Sequence, residues 1–275
     1  MKDAFFIYVA ALGKGKVLVQ LRGSGFRTWY ESSGFLTRSL VRSALSNASG
    51  VIVLGNKLKY LFEPFFRSDQ IYVAPNGCDY TIPSQEVDSA DETVRVLYLA
   101  NLQGSKGIED VIRAIVILKD VHPSEFTLTV AGSWRDNQTK EICIRLVEEH
   151  SLPVTFTGPM HGDNKLALLA SADVFVFTPR KPEGHPWVIV ESMAAGLPII
   201  STDQGAITES VIHGTNGFIV EPTSPQQIAD RLSQLIKDAE LRQAMGKSSR
   251  DLYLEKFTEE ALVQNYSSIF DTVIS

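Results

Sequence analysis

Short runs rich in β-branched residues alternate along this chain with amphipathic stretches of helical length, the pattern left by a parallel sheet covered by crossover helices. The first three runs are KVLVQL (16–21), VIVL (51–54) and IYVA (71–74). A polar stretch, TIPSQEVDSADET (81–93), breaks the series and reads as a linker between domains. A second series follows: VRVLYL (94–99), FTLTVA (126–131), VTFT (154–157), VFVF (174–177), LPIIST (197–202) and GFIV (217–220). Six strands make a full doubly wound sheet, whereas the first series supplies only three. From 225 to 274 the spacing is helical throughout, which suits cover for the sheets. The pattern predicts an α/β protein of two doubly wound Rossmann-like domains, the N-terminal one incomplete. Its parts are a partial first domain at 1–80, the linker at 81–93, a complete domain at 94–255, and a helix at 256–275 that crosses back to the first domain.

Composition narrows the picture without changing it. A chain of 275 residues suits two domains of about 100–150 residues each. Its 26 basic and 32 acidic side chains give a net charge of -6, which speaks against nucleic acid as a partner. Cys78 and Cys143 are the only cysteines. Their spacing matches no metal or redox motif, so no disulfide is expected and a reducing compartment is implied. The start, Met1-Lys2-Asp3 before AFFIYVAAL, has some features of a short signal peptide. Asp3 cancels the charge of Lys2, however, and the segment leads through GKGK into VLVQL, as a helix feeding the next unit of an α/β domain would. No run approaches the roughly 20 apolar residues of a membrane span. The expectation is a cytoplasmic protein, at most peripheral at the inner face of the membrane.

Ligands of open α/β sheets sit beyond the carboxyl ends of the strands. One such turn, PRKPEGHPWVIVESMAAG (179–196), follows the run VFVF. Pro186 suits a first helical turn and Gly196 a C-terminal cap, leaving a helix from Trp187 to Ala195. The exposed N–H groups at its start would form an anion site near Gly184 and His185. Two carboxylates, Glu183 and Glu191, flank that start. Spacing alone proves nothing, because Glu141 and Glu149 are also eight apart on a stretch that reads as a solvated helix. Glu191 differs in being surrounded by Val188, Ile189, Val190, Met193, Ala194 and Ala195, so its helix is apolar nearly all round and should be buried. A buried carboxylate needs donors. A vicinal diol supplies two, and a core ion pair with Arg or Lys is the alternative. For Glu183, an acid just before a helix N-terminus is stabilised there without any function.

These residues resemble the family-four retaining glycosyltransferases of the two-Rossmann-domain (GT-B) type. The resemblance spans essentially the whole chain and is strongest in the Glu-x7-Glu segment EGHPWVIVE (183–191) and its continuation SMAAGLPIISTDQGAITESVIHGTNGFIV. LYLANLQGSKG (97–107), VAPNGCD (73–79) and VTFTGPM (154–160) support it in the same order. It implies a nucleotide-diphosphate sugar donor held mainly by the second domain, with a glycan or lipid-linked acceptor entering between the domains. By the same resemblance Glu191 grips the ribose hydroxyls, and Gly184, His185, Pro186 and Trp187 form the turn that offers backbone N–H groups to the diphosphate and sugar. Lys106, after a strand end that also carries Asn101 and Gly104, neutralises the departing phosphate. Glu183 contacts the sugar near its reacting carbon, and Pro159 and Met160 contact the base through backbone atoms. Cationic and N–H donors of this kind stabilise a departing diphosphate without a metal, and the chain lacks an Asp-x-Asp. No cofactor beyond the donor substrate is implied.

Two departures stand out. Asn101 occupies a position where many members carry Arg, which places more of the phosphate neutralisation on Lys106. Gln20-Leu21-Arg22-Gly23 replaces a His-Leu-His-Gly turn, leaving Arg22 and Gly23, with Asn76, as the cleft residues of the first domain. Members of the family have about three further strands and a glycine-rich acceptor loop before the point where this sequence starts. The expectation is that a first domain without them self-associates, stays poorly soluble, or borrows those strands from a partner chain. The alternative readings are a non-catalytic nucleotide-sugar-binding fragment or one half of a split transferase. A two-Rossmann sugar-nucleotide epimerase explains the Glu-x7-Glu turn less well.

Overall fold

The computed structural model describes residues 2–13, 15–83 and 93–275. Most of the linker expected at 81–93 therefore lies outside the described residues. Helix α1 (Lys2–Ala11) opens the chain, followed by β1 (Leu18–Gln20), α2 (Phe26–Ser32), α3 (Phe35–Leu45), β2 (Gly50–Val53) and β3 (Ile71–Val73). The three strands form one parallel sheet in the order β1-β2-β3. Its central strand is buried along its whole length, while edge strand β1 is only half-buried. Helix α1 buries Ala4 and Ile7 but leaves Phe5, Phe6 and Val9 exposed, as is Leu12 just beyond its end.

The second unit alternates strand and helix with little interruption. It runs β4 (Val94–Leu99), α4 (Ile108–Leu118), β5 (Phe126–Ala131), α5 (Asn137–Glu149), β6 (Val154–Gly158), α6 (Gly162–Ala170) and β7 (Val174–Phe177). Then come α7 (Trp187–Ala194), β8 (Ile199–Thr202), β9 (Gly217–Val220), α8 (Pro225–Lys237), α9 (Ala239–Lys256) and α10 (Glu259–Ile274). The six strands are all parallel and ordered β6-β5-β4-β7-β8-β9. Strands β7 and β8 are buried at every residue, as apolar runs covered by helices on both faces must be. The strand order reverses between β4 and β7, so the crevice for a ligand opens beyond the ends of those two strands.

The C-terminal helix α10 ties the two sheets together. Helix α7 packs on α9 and α4 on α8, while α10 leaves the second unit and lies on the first sheet. There Ile269 is buried with Ile52 and Ala74, with Leu18, Tyr72, Tyr266 and Val273 packed around them. Gln20 donates from its amide to the Tyr266 hydroxyl across that contact. Among the described residues, no helix is long and apolar enough to cross a membrane.

Candidate functional site

The site is built at the switch point from the turns after β4 and β7. After β4 the chain makes a short 3₁₀ turn, Gly104–Lys106, and the buried Tyr98 donates to the Lys106 carbonyl at 2.8 Å, fixing the turn against the sheet. After β7 the chain runs through Pro179 and Arg180 to Glu183. Three bonds from Arg180 lock this loop to the turn and helix that follow β4. The Arg180 N–H donates to the Ser105 carbonyl at 2.9 Å, and its guanidinium grips the buried Asp110 on α4 through two bonds of 2.7 Å. A bidentate, charge-assisted pair of this kind fixes orientation as well as distance. The result is that Lys106 Nζ stands 2.6 Å from Glu183 Oε1, with Phe177 beneath the ammonium at 5.9 Å.

Helix α7 begins where expected, although Pro186 sits one position outside the first turn, as N-cap, with an extended ψ of 128°. Gly196 takes a positive φ of 70° just beyond the end of the helix, a conformation in which glycine pays no Cβ penalty. Glu191 is 4% exposed, and its two oxygens differ. Oε1 accepts from Lys165 of α6 at 2.6 Å and from the Tyr80 hydroxyl at 3.2 Å. Oε2 is buried and has no hydrogen-bond partner among the described residues. The ion pair and the open acceptor, which sequence reasoning set against each other, thus coexist on one carboxylate. Glu141 and Glu149 are exposed on α5.

The cleft side closes on His185. The Asn76 backbone N–H donates to its Nδ1 at 3.0 Å, and the Asn76 amide donates to the His185 carbonyl at 2.6 Å. With Nδ1 accepting, the ring proton lies on Nε2 and points to Ser210 Oγ, 2.6 Å away. Arg22 reaches the Asn76 side chain at 3.3 Å. The Arg22–Gly23 backbone passes so close to Gly184 that a Cβ there would sit 3.3 Å from the Arg22 carbonyl oxygen. Pro159 and Met160 lie at the end of β6, just before the helix that carries Lys165. Trp187 is partly exposed at the start of α7. The structure thus groups Lys106 with Glu183, and Arg22, Gly23 and Asn76 with Gly184 and His185.

Sequence reasoning missed several residues that belong here. Arg135, in the loop after β5, donates to the Asn101 side chain at 3.0 Å, which brings a guanidinium to the strand end where Asn101 stands. Lys165, Tyr80, Arg180 and Asp110 were also missed. Lys57 adds a second cleft pair, reaching Asp203 at 2.7 Å, while Glu209 accepts from the backbone N–H groups of Asn56 and Lys57 at 2.9 and 2.8 Å. None of these sits in a motif. Each is paired across a chain separation that only the folded topology closes.

Burial pushes the His185 imidazole down to about 4, below the usual 6.5. The folded state therefore resists protonation, so the stability from keeping His185 neutral is fully present above about pH 6.5 and is lost as pH falls toward 4. Chemical denaturation at pH 7.5 and pH 5 should show the wild type losing about 2 kcal/mol more than His185→Gln. Equal losses would place the titration elsewhere. Burial also pushes the Cys143 thiol up to about 12, holding it protonated, and both cysteines are free.

Residues 81–252 match the family described as glycosyl transferases group 1. The chain belongs to that family. Among group 1 relatives it is 30% identical over 200 residues to N-acetyl-alpha-D-glucosaminyl L-malate synthase of Bacillus anthracis, covering 71% of this chain and 50% of that protein. It is 27% identical to D-inositol 3-phosphate glycosyltransferase of Corynebacterium glutamicum, covering 75% and 53%. The chain thus spans about half the length of these curated relatives. In fold it resembles the Anabaena protein HepE, solved in complex with UDP, with a TM-score of 0.82 at 20% identity, covering 98% of this chain and 74% of that one. Sucrose-phosphate synthase of Thermosynechococcus elongatus gives 0.78 at 22% identity, covering 97% and 70%. The two parallel sheets therefore share the GT-B fold of these structures.

Proposed function

We propose that this chain binds a nucleotide-diphosphate sugar in the crevice beyond β4 and β7 and transfers the sugar, with retained configuration and without a metal, to a glycan or lipid-linked hydroxyl. One observation carries the donor reading: a carboxylate oxygen of Glu191 is buried and has no hydrogen-bond partner among the described residues. Such a group costs free energy until a donor reaches it, and the two hydroxyls of a ribose are donors of the right kind. In this reading Pro159 and Met160 flank the base through their backbone. The segment from Gly184 to Trp187 turns N–H groups to the diphosphate, and Asn101, Gly104 and Arg135 line its path.

The chemistry follows from the Lys106–Glu183 pair. With the donor in place, Lys106 turns from Glu183 to the phosphate oxygen that leaves, where negative charge grows as the bond to the anomeric carbon breaks. Glu183 is then free to accept from a sugar hydroxyl. The acceptor oxygen attacks from the face the phosphate vacates, and its proton passes to the departing phosphate. Arg22, Gly23 and Asn76 border the cleft through which the acceptor enters.

Incubation with α-linked UDP-, GDP- and ADP-sugars in EDTA, followed by NMR of the product, should give an α-linked product from one donor class. A β-linked product would overturn retention. An absolute metal requirement would overturn the role given to Lys106.

A further inference from the structure

Side chains from two separate segments converge on a single oxygen of Glu191. Lys165 comes from α6, Tyr80 from the end of the first unit, and Glu191 from α7. The Lys165 ammonium lies 2.6 Å from Oε1 and the Tyr80 hydroxyl 3.2 Å from it, while Oε2 is buried and has no hydrogen-bond partner among the described residues. The Glu191 side chain is 5% exposed and that of Lys165 26%, so the pair is largely withdrawn from solvent. Rotation about the last torsion of a glutamate is soft and roughly two-fold. An unpinned carboxylate would present either oxygen, whereas a short charge-assisted bond to one of them selects the other.

We propose that Lys165 is a positioning residue that, together with Tyr80, pins Glu191 so that Oε2 faces the ribose diol, and thereby sets a preference for ribonucleotides over deoxyribonucleotides. The inference rests on the reading of Glu191 as the ribose acceptor. A buried ion pair with a purely structural role is the competing account, because removing one partner of such a pair destabilises a fold whatever the ligand. The two accounts differ in what they do to binding. A structural role changes affinity for every nucleotide alike, while a positioning role removes only the part contributed by the ribose hydroxyls. Tyr80 gives an independent handle: its phenol is held protonated, first by burial and then by the charge of Glu191, so it acts as a donor.

Calorimetry would compare UDP, GDP and ADP with their 2′-deoxy and 2′,3′-dideoxy counterparts, on wild type, Lys165→Met, Lys165→Arg and Tyr80→Phe, with thermal melts to verify folding. The wild type should favour its preferred ribonucleotide over the dideoxy form by about tenfold or more, as loss of a charge-assisted hydrogen bond implies. Lys165→Met should shrink that ratio to about threefold or less by weakening the ribonucleotide alone. Lys165→Arg should restore most of it, and Tyr80→Phe should lower it by a smaller factor. If Lys165→Met fails to fold, the Tyr80→Phe ratio decides, an unchanged value overturning the inference. A wild-type preference that Lys165→Met retains, or equal weakening of both ligands, would overturn it while leaving Glu191 as ribose acceptor. No preference in the wild type would overturn both.

Discussion

Replacing Lys106 by alanine is expected to lower sugar transfer by about 10²–10³-fold, the effect of removing one preorganised donor to developing charge. The ammonium is placed by the turn after β4, by the Tyr98 bond to its carbonyl, and by Glu183 at 2.6 Å. Loss of Lys106 removes the cation and also leaves the Glu183 carboxylate, only 17% exposed, without its ion-pair partner. Steady-state kinetics should show kcat falling by a larger factor than KM rises, because the interaction strengthens as the phosphate departs. The double change Lys106→Ala with Glu183→Ala should cost less than the sum of the two single changes, since the two side chains share one bond. A Lys106→Ala enzyme with unaltered kcat would remove Lys106 from the chemistry.

The second large effect is structural. Gly205 has a φ of +64°, and a Cβ there would sit 1.7 Å from the Glu183 carbonyl oxygen and 2.9 Å from its nitrogen. The next residue, Ala206, donates its N–H to the Gly184 carbonyl at 3.1 Å, so this glycine presses directly on the segment that carries Glu183, Gly184 and His185. Gly205→Ala must therefore displace backbone as well as adopt a left-handed conformation, at a cost of about 3 kcal/mol or more. Gly214 is the control: its φ is +79° but nothing lies within 4 Å of an added Cβ. Gly214→Ala should lose only about 1–2 kcal/mol. Thermal denaturation compares the two, and nucleotide binding should fail for Gly205→Ala while surviving Gly214→Ala. Equal, small shifts would mean the Glu183 loop is not held against Gly205.

What could be read in the sequence follows from what burial imposes on it. Strands β4, β5, β7 and β9 fall at the residues their apolar runs predict, because the runs that fill a core covered on both faces are continuous and end at polar turns. The run LPIIST starts pairing two residues late, at Ile199. Pro198 has no N–H for the ladder, although its carbonyl still accepts from Phe175. The run KVLVQL shrinks to Leu18–Gln20 because its ladder runs only against Gly50–Ile52, from Leu18↔Gly50 to Gln20↔Ile52. Glu191 was legible because its neighbours are apolar, so a charge among them demands a partner. Lys165 was not, since a single lysine in DNKLALLA reads as the solvated face of a helix, and its partner lies 26 residues on, beyond β7. Arg135 and the Arg180–Asp110 pair escaped for the same reason: each joins segments that follow different strands, and only the sheet order brings them together. The departure at Asn101 was visible in sequence, while the guanidinium beside it was not.

The central claim is that the buried, unpaired oxygen of Glu191 receives a ribose hydroxyl of a nucleoside diphosphate. It is tested most directly by titrating UDP, GDP and ADP in EDTA into the wild type and into Glu191→Ala and following the heat. The account predicts metal-independent binding of one of the three, weakened by about tenfold or more in Glu191→Ala, with Glu191→Gln between them. Binding that Glu191→Ala leaves unchanged, or no binding of any of the three by the wild type, would contradict it.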